Sequence, residues 1–276
     1  MQVFINSQWQ ASGSGQAYPI GAEKIRNLLC LSVDLTVPDV SFEPASFDVT
    51  EGVRNYHEIQ GTLNLASEAM RNLSTPVFNL GCDCGGEFIP IAKLNERFGG
   101  DLRVIWFDAH PDLNTPLTST SKTFHGMVLR ALLGDTPPGF ERHLPVPLNP
   151  KNVILAGVRS IDPGERDYIA AHPLSVISSE ELNTAIDTEK LKPLDGGPVY
   201  IHVDYDVLDP MEHPNAVYKV ASGIRLSMLI DWLRAIRQTQ DVVGFSLTEF
   251  APRSAHAGCD DVQMILSSGF GLPLRQ

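Results

Sequence analysis

No apolar run in the 276-residue sequence approaches the roughly 18 residues that cross a bilayer, so no membrane span is expected. Basic residues are scarce. The chain has 21 Lys and Arg against 33 Asp and Glu, a net charge of −12, and that sign repels phosphate backbones. Nucleic acid is therefore excluded as the main partner. Cysteine is scarce as well: four in a chain this long do not form a disulfide framework. The expected location is cytoplasmic, where thiols stay free to pack or to hold metal. The first ten residues lack the unbroken apolar stretch of a signal peptide, because Asn6, Ser7 and Gln8 interrupt it. Repeats and low-complexity tracts are absent. Apolar residues make up 43% and charged residues 20%, the balance of a folded globular chain.

What the sequence does contain is alternation. Short apolar runs at 76–80, 102–107, 153–158, 199–203 and 242–247 read as strands. Helical spacing follows several of them, at 87–98, 125–133 and 226–236, and Asp162-Pro163-Gly164-Glu165 opens another helix with Asp162 as N-cap. Strands that are apolar throughout are buried on both faces, so the expected fold class is α/β. The expected architecture is a single-domain three-layer α/β/α arrangement over residues 1–276 with a mostly parallel sheet. Pro137–Pro150 reads as a loop within that domain, since the alternation resumes directly after it.

Ligands of open α/β sheets bind beyond the carboxyl ends of the strands. Four of the expected strands end in residues suited to that role: Gly81-Cys82-Asp83-Cys84, Asp108-Ala109-His110-Pro111-Asp112, Asp204-Tyr205-Asp206 and Thr248-Glu249. Asp108, His110 and Asp112 leave one side of an extended segment, and two carboxylates with an imidazole suit Mn²⁺ better than Zn²⁺ or Fe²⁺. Asp204 and Asp206 repel each other unless a cation lies between them. A pair of metals about 3.5 Å apart, polarising a shared water, is the occupant such a set suggests.

Those motifs, together with His125-Gly126 and Asp209-Pro210, resemble the arginase/agmatinase (ureohydrolase) family from about Gly81 to Pro252. The resemblance implies two Mn²⁺ ions held by Asp108, His110, Asp112, Asp204 and Asp206, with a bridging hydroxide that attacks a guanidinium carbon to release urea. It places a proton-shuttling histidine at His125 and a guanidinium-pairing carboxylate at Glu249. The loop from Asn114 to His125 is similar to the arginase branch, which puts the substrate α-carboxylate on Asn114 and Ser121. The α-amino group falls to Asp162 and Glu165. A small guanidine is the implied partner, and a homo-oligomer, trimer or hexamer, the implied assembly.

Two departures matter. The family has Gly-Gly-Asp-His where this chain has Gly81-Cys82-Asp83-Cys84, so a cysteine stands at the position of a ligand histidine. A Cys84 thiolate is softer than imidazole and adds negative charge, which lowers the Lewis acidity of the nearer metal. The competing reading makes Cys84 a packed thiol; Cys82 reads as packing, and Cys30 and Cys259 receive no role. The second departure is bulk after Asp209-Pro210, where Met211 to Tyr218 replace a small turn and His213 is a further pocket candidate. Asn114, Ser121 and Asp162 imply L-arginine or a close derivative as substrate, yielding L-ornithine with urea or hydroxyurea, and the departures bring in Nω-hydroxy-L-arginine as such a derivative. The alternatives are another guanidine (agmatine or a guanidino acid) and a weakly active binding protein of the same fold.

Overall fold

The computed structural model describes residues 1–13, 15, 17–30, 35–36 and 48–275. Strands are β1 (Gln2–Ile5), β2 (Leu35–Thr36), β3 (Val49–Thr50), β4 (Val53–Arg54), β5 (Val77–Leu80), β6 (Arg103–Phe107), β7 (Val153–Ala156), β8 (Ser175–Ile177), β9 (Pro198–Asp204) and β10 (Asp241–Thr248). Helices are α1 (Ala17–Leu28), α2 (Tyr56–Ala69), α3 (Phe88–Arg97), α4 (Val128–Leu132), α5 (Pro163–Ala171), α6 (Ser179–Leu182), α7 (Leu226–Thr239) and α8 (Asp260–Met264). Apart from the small antiparallel β3–β4 hairpin, the strands form one sheet in the order β2-β1-β5-β10-β9-β6-β7-β8. Every pairing in it is parallel, where a mostly parallel sheet was expected.

Alternate residues of the central strands feed two separate cores. Phe78, Leu80, Ile105, Phe107, Ile201 and Val203 pack with α1, α7 and α8, whereas Val77, Val104, Trp106 and Tyr200 pack with α2, α3 and α4. Helix α7 shows why the layers form. Leu229, Trp232, Leu233 and Ile236 recur at i, i+3, i+4 and i+7, and all are buried. Burying each such side chain contributes about 1.5–3 kcal/mol, so a helix without that stripe would not stay on the sheet.

Several element limits differ from the sequence expectation. The 153–158 strand stops at Ala156 because Gly157 has φ 96°, a backbone turn that ends the ladder. The 87–98 and 125–133 helices each begin as a 3₁₀ turn, at Cys84–Glu87 and Phe124–Met127, before α3 and α4. The Pro137–Pro150 loop carries a 3₁₀ turn at Glu141–His143 and leads into another at Pro150–Asn152. Strands β1 and β8 and helices α1, α2, α6 and α8 had no counterpart in the sequence reading.

The strand order sets the site. β5, β10, β9 and β6 are consecutive neighbours at the centre of the sheet, and they are the four strands that end in ligand-type residues. Helix α1 closes against this end because Gly21 lets it approach the chain: a Cβ at Gly21 would lie 2.0 Å from the Phe250 carbonyl oxygen. Gly21→Ala should push α1 off the loop after β10 and cost about 1–3 kcal/mol, read as a lowered thermal midpoint. A variant melting with the parent protein would show that this contact is slack.

Candidate metal centre

Asp108 leaves β6 fully buried, and its two oxygens face different neighbours. Oδ1 lies 3.5 Å from His110 Nδ1, and Oδ2 lies 3.8 Å from His202 Nε2. Around these oxygens stand two groups of ligand atoms, each mutually within 4.8 Å: Cys84, Asp108, His202 and Asp204 in one, Asp108, His110 and Asp206 in the other. Asp108 is common to both. Within the second group His110 Nδ1 is 3.0 Å from Asp206 Oδ2. Within the first, the Cys84 thiol is 3.1 Å from Asp204 Oδ2, so its sulfur faces the carboxylates instead of packing away from them. Backbone amides fix the acids: Asp108 Oδ1 accepts from His110, Asp204 Oδ1 from Asp206, and Asp206 Oδ1 from Ala109.

Asp112 departs from the extended geometry expected of it. It turns with φ 52°, a left-handed conformation that aspartate tolerates, and lies outside both groups of close ligand atoms. Its Oδ2 is nevertheless buried with no hydrogen-bond partner. A buried carboxylate oxygen left bare is costly unless a cation meets it. That orphan, beside thiol, imidazole and carboxylate donors, is what a divalent metal site presents.

Protonation behaviour follows from the crowding. Burial, reinforced by Asp206, pushes Asp204 well up, and burial with Asp108 does the same to Asp112. Asp206 rises to about 6 through burial and Asp108, with His110 opposing. For Cys84, burial and then Asp204 raise the thiol, so it stays protonated unless a metal displaces the proton. His110 is driven up to about 12 because Asp108 and Asp206 outweigh its burial.

The second part of the site is a cavity of about 250 Å³ that meets the metal residues at His110 and Asp112. Asn114, Ser121, Asp162 and Glu165 line it, as do His125 and Tyr218. Asn114 donates to Asp162 Oδ2 at 2.9 Å, and Ser121 and Thr123 hydroxyls stand 2.7 Å apart. Asp162 caps α5 in this wall, with Pro163 as the first helical residue. Glu165 is differently committed: its oxygens accept from the Leu113 and Asp162 amides, so it braces the loop.

Glu249 ends β10 in a left-handed turn, φ 59°. Its Oε1 accepts from the Cys84 amide at 3.1 Å and lies 3.4 Å from His125 Nδ1. Its Oε2 accepts a short hydrogen bond from the Tyr18 hydroxyl on α1. Burial lowers His125, but Glu249 more than restores it and leaves the imidazole raised. His213 is not part of this cavity; it pairs with Asp261 at 2.9 Å, and Tyr218 from the same loop tilts over His125 instead. Sequence reasoning missed Tyr18 and His202. Only the polar residue inside the apolar run 199–203, two before Asp204, offered a signal for the latter.

Comparison with known proteins completes the picture. Residues 57–264 match the sequence family described as the arginase family. The chain belongs to the arginase family. Its members are hydrolases of amidino C–N bonds and depend on metal, and this chain is an arginase-family ureohydrolase. It is 29% identical over 238 residues to the arginase of Staphylococcus aureus strain MRSA252, covering 81% of this chain and 76% of the relative. The fold is similar to that of Entamoeba histolytica arginase in complex with L-ornithine, with TM-score 0.82, 21% identity and coverage of 98% and 97%. It also resembles formimidoylglutamase of Bacillus subtilis, with TM-score 0.72, 18% identity and coverage of 97% and 85%. Neighbours named for different substrates share this fold, so the fold alone does not choose the substrate. No helix among the described residues is long and apolar enough to cross a membrane.

A pH test follows from the acids. Asp206 and Asp83 have folded pKa values of about 6 and about 7, above the unfolded value near 4, Asp83 through burial and Glu249. A raised acid favours the folded state below its unfolded pKa, and that contribution is lost as pH rises through the folded value. His110 acts in the same direction above about 6.5, whereas Asp108 is held low by His110 and His202 against its burial and matters only below about 4. The chelator-treated protein should therefore lose thermal stability between about pH 5 and pH 8, and Mn²⁺ should suppress the loss. A flat profile without metal would contradict the assigned crowding.

Proposed function

We propose that the chain, acting as one catalytic domain over residues 1–276, is a dinuclear Mn²⁺ amidinohydrolase of L-arginine or Nω-hydroxy-L-arginine. The observation that carries this reading is the cavity lined by Asn114, Ser121 and Asp162, which opens onto the two ligand groups that share Asp108. Cys84, Asp108, His110, Asp112, Asp204 and Asp206 are the assigned ligands. When bound, the ions supply Lewis acidity that makes water a nucleophile near neutral pH.

The protein's own groups do the rest. Asn114 and Ser121 offer polar atoms to an α-carboxylate, and the Asp162 carboxylate on the cavity wall offers an acceptor to an α-ammonium. Such anchoring converts a bimolecular encounter into an oriented one. His125, raised by Glu249, carries a proton that it can hand to the departing amine. The bound L-ornithine of the Entamoeba histolytica arginase is an amino acid of the kind this cavity would retain. A homo-oligomer, trimer or hexamer, in the cytoplasm completes the proposal.

Between the two substrates, Glu249 favours the hydroxylated one. A guanidinium is held best by a carboxylate offering both oxygens. Here Oε2 is engaged by Tyr18, and Oε1 already receives the Cys84 amide. Nω-hydroxyguanidine is less basic and a better leaving group, so it depends less on that ion pair and on metal acidity diminished by a thiolate.

Urea or hydroxyurea release from a panel of guanidines after Mn²⁺ loading tests the proposal. The amino-acid substrates should exceed agmatine in kcat/KM by about one to two decades, since one charge-assisted contact contributes roughly 1.5–3 kcal/mol. Agmatine as the better substrate would overturn the roles of Asn114, Ser121 and Asp162. Tyr18→Phe should free Oε2 and raise activity on L-arginine relative to its hydroxylated form. An unchanged ratio would remove Tyr18 from the specificity argument.

A further inference from the structure

His202 is an imidazole in the middle of a parallel sheet, with no exposed surface. On β9 it shares a face with Tyr200 and Asp204, and it sits one pleat below Asp204. Its cross-strand neighbours are Ser246 and Trp106, and the indole of Trp106 stacks on it with centroids 3.5 Å apart. Such a ring cannot reach water, so both of its nitrogens need partners inside the protein.

One nitrogen has them. Nδ1 lies 3.2 Å from the Ser246 hydroxyl and 3.5 Å from Glu87 Oε2. Glu87 is itself fully buried and held by Asn79, whose amide donates to Oε1 at 2.6 Å. Each ring nitrogen thus faces a carboxylate, Glu87 at Nδ1 and Asp108 at Nε2, and with a metal on Nε2 the remaining proton sits on Nδ1 toward Glu87. Nε2 faces the Cys84 sulfur and Asp108 Oδ2, each at 3.8 Å. These neighbours are supplied by the 3₁₀ turn Cys84–Glu87, in which residues three apart eclipse. Cys84 therefore meets one edge of the imidazole and Glu87 the other.

A sulfur and a carboxylate around Nε2 call for positive charge at that nitrogen, a proton when the protein is metal-free and a metal ion in its place when the metal is bound. A metal roughly 2.3 Å from sulfur and 2.0 Å from nitrogen in a tetrahedron separates the two by about 3.5 Å, close to what is seen. A ligand imidazole with its other N–H directed to a carboxylate is the usual arrangement at metal sites. We propose that His202 Nε2 is a ligand to the first metal, completing a Cys84–Asp108–His202–Asp204 set, with Glu87 as the positioning residue behind it. The nitrogen that position 84 no longer offers is thus delivered from β9. This rests on the metal-dependent reading of the site.

Co²⁺ titration of the full chain, followed by X-ray absorption at the cobalt edge, tests it. With two ions bound, the spectrum should require two imidazoles per chain, His110 and His202, together with one sulfur. His202→Gln should lower the count to one imidazole, keep the sulfur, and weaken one binding step while the far-ultraviolet dichroism is retained. Glu87→Gln should keep both imidazoles yet weaken that step by about 10–100-fold. Two tightly bound ions with one imidazole in the parent protein would overturn the His202 assignment and leave the metal-dependent reading intact. Failure to bind Co²⁺ at all would overturn both.

Discussion

Mutual repulsion among buried carboxylates is the constraint on which the functional end of this molecule depends. Asp108, Asp204 and Asp206 are placed by the ends of adjacent central strands, and the sheet gives them no water to disperse their charge. Isolated buried ions of one sign cost several kcal/mol each unless paired. The backbone amides that cap these acids orient them but do not neutralise them. A divalent cation would do both, and the presence of Asp108 in both ligand groups is the reason two are proposed.

The same constraint bears on Cys84 and Glu249. Cys84 adds an acidic group to an already acidic set, and a thiolate there would make the nearer ion a weaker Lewis acid. Glu249 is drawn into the hydrogen bonds of Tyr18 and Cys84, which leaves it less to offer a fully charged guanidinium. The two features act in the same direction. On the proposed reading, both would reduce the advantage of a strongly basic substrate over one that is less basic and easier to cleave.

Much of the fold was legible because central parallel strands are apolar on both faces, as at 199–203, and because the ligands follow them directly in the chain. Glu249 was legible for the same reason, lying one residue beyond the buried β10. The parts that escaped detection depend on distant chain segments. Strand β1 is four residues long, and α1 carries Pro19 and Gly21, so its helical pattern is weak. Tyr18 reaches Glu249 only through packing across 231 residues. His202 was concealed by the apolar run around it, and Glu87 read as an ordinary helix start. Asp112 was expected on an extended segment, and a left-handed turn, anchored by the Arg130 amide on its carbonyl, moved it. Spacing along a chain does not reveal a turn of that kind.

The proposed place of Asp108 between two metal positions is tested most directly by metal stoichiometry in Asp108→Asn. The parent chain loaded with Mn²⁺ should retain two ions after gel filtration, measured by elemental analysis. Loss of the shared carboxylate charge should weaken both positions together, leaving fewer than one ion per chain. Retention of one full equivalent would mean that the two positions are independent, and retention of two would contradict the shared role of Asp108.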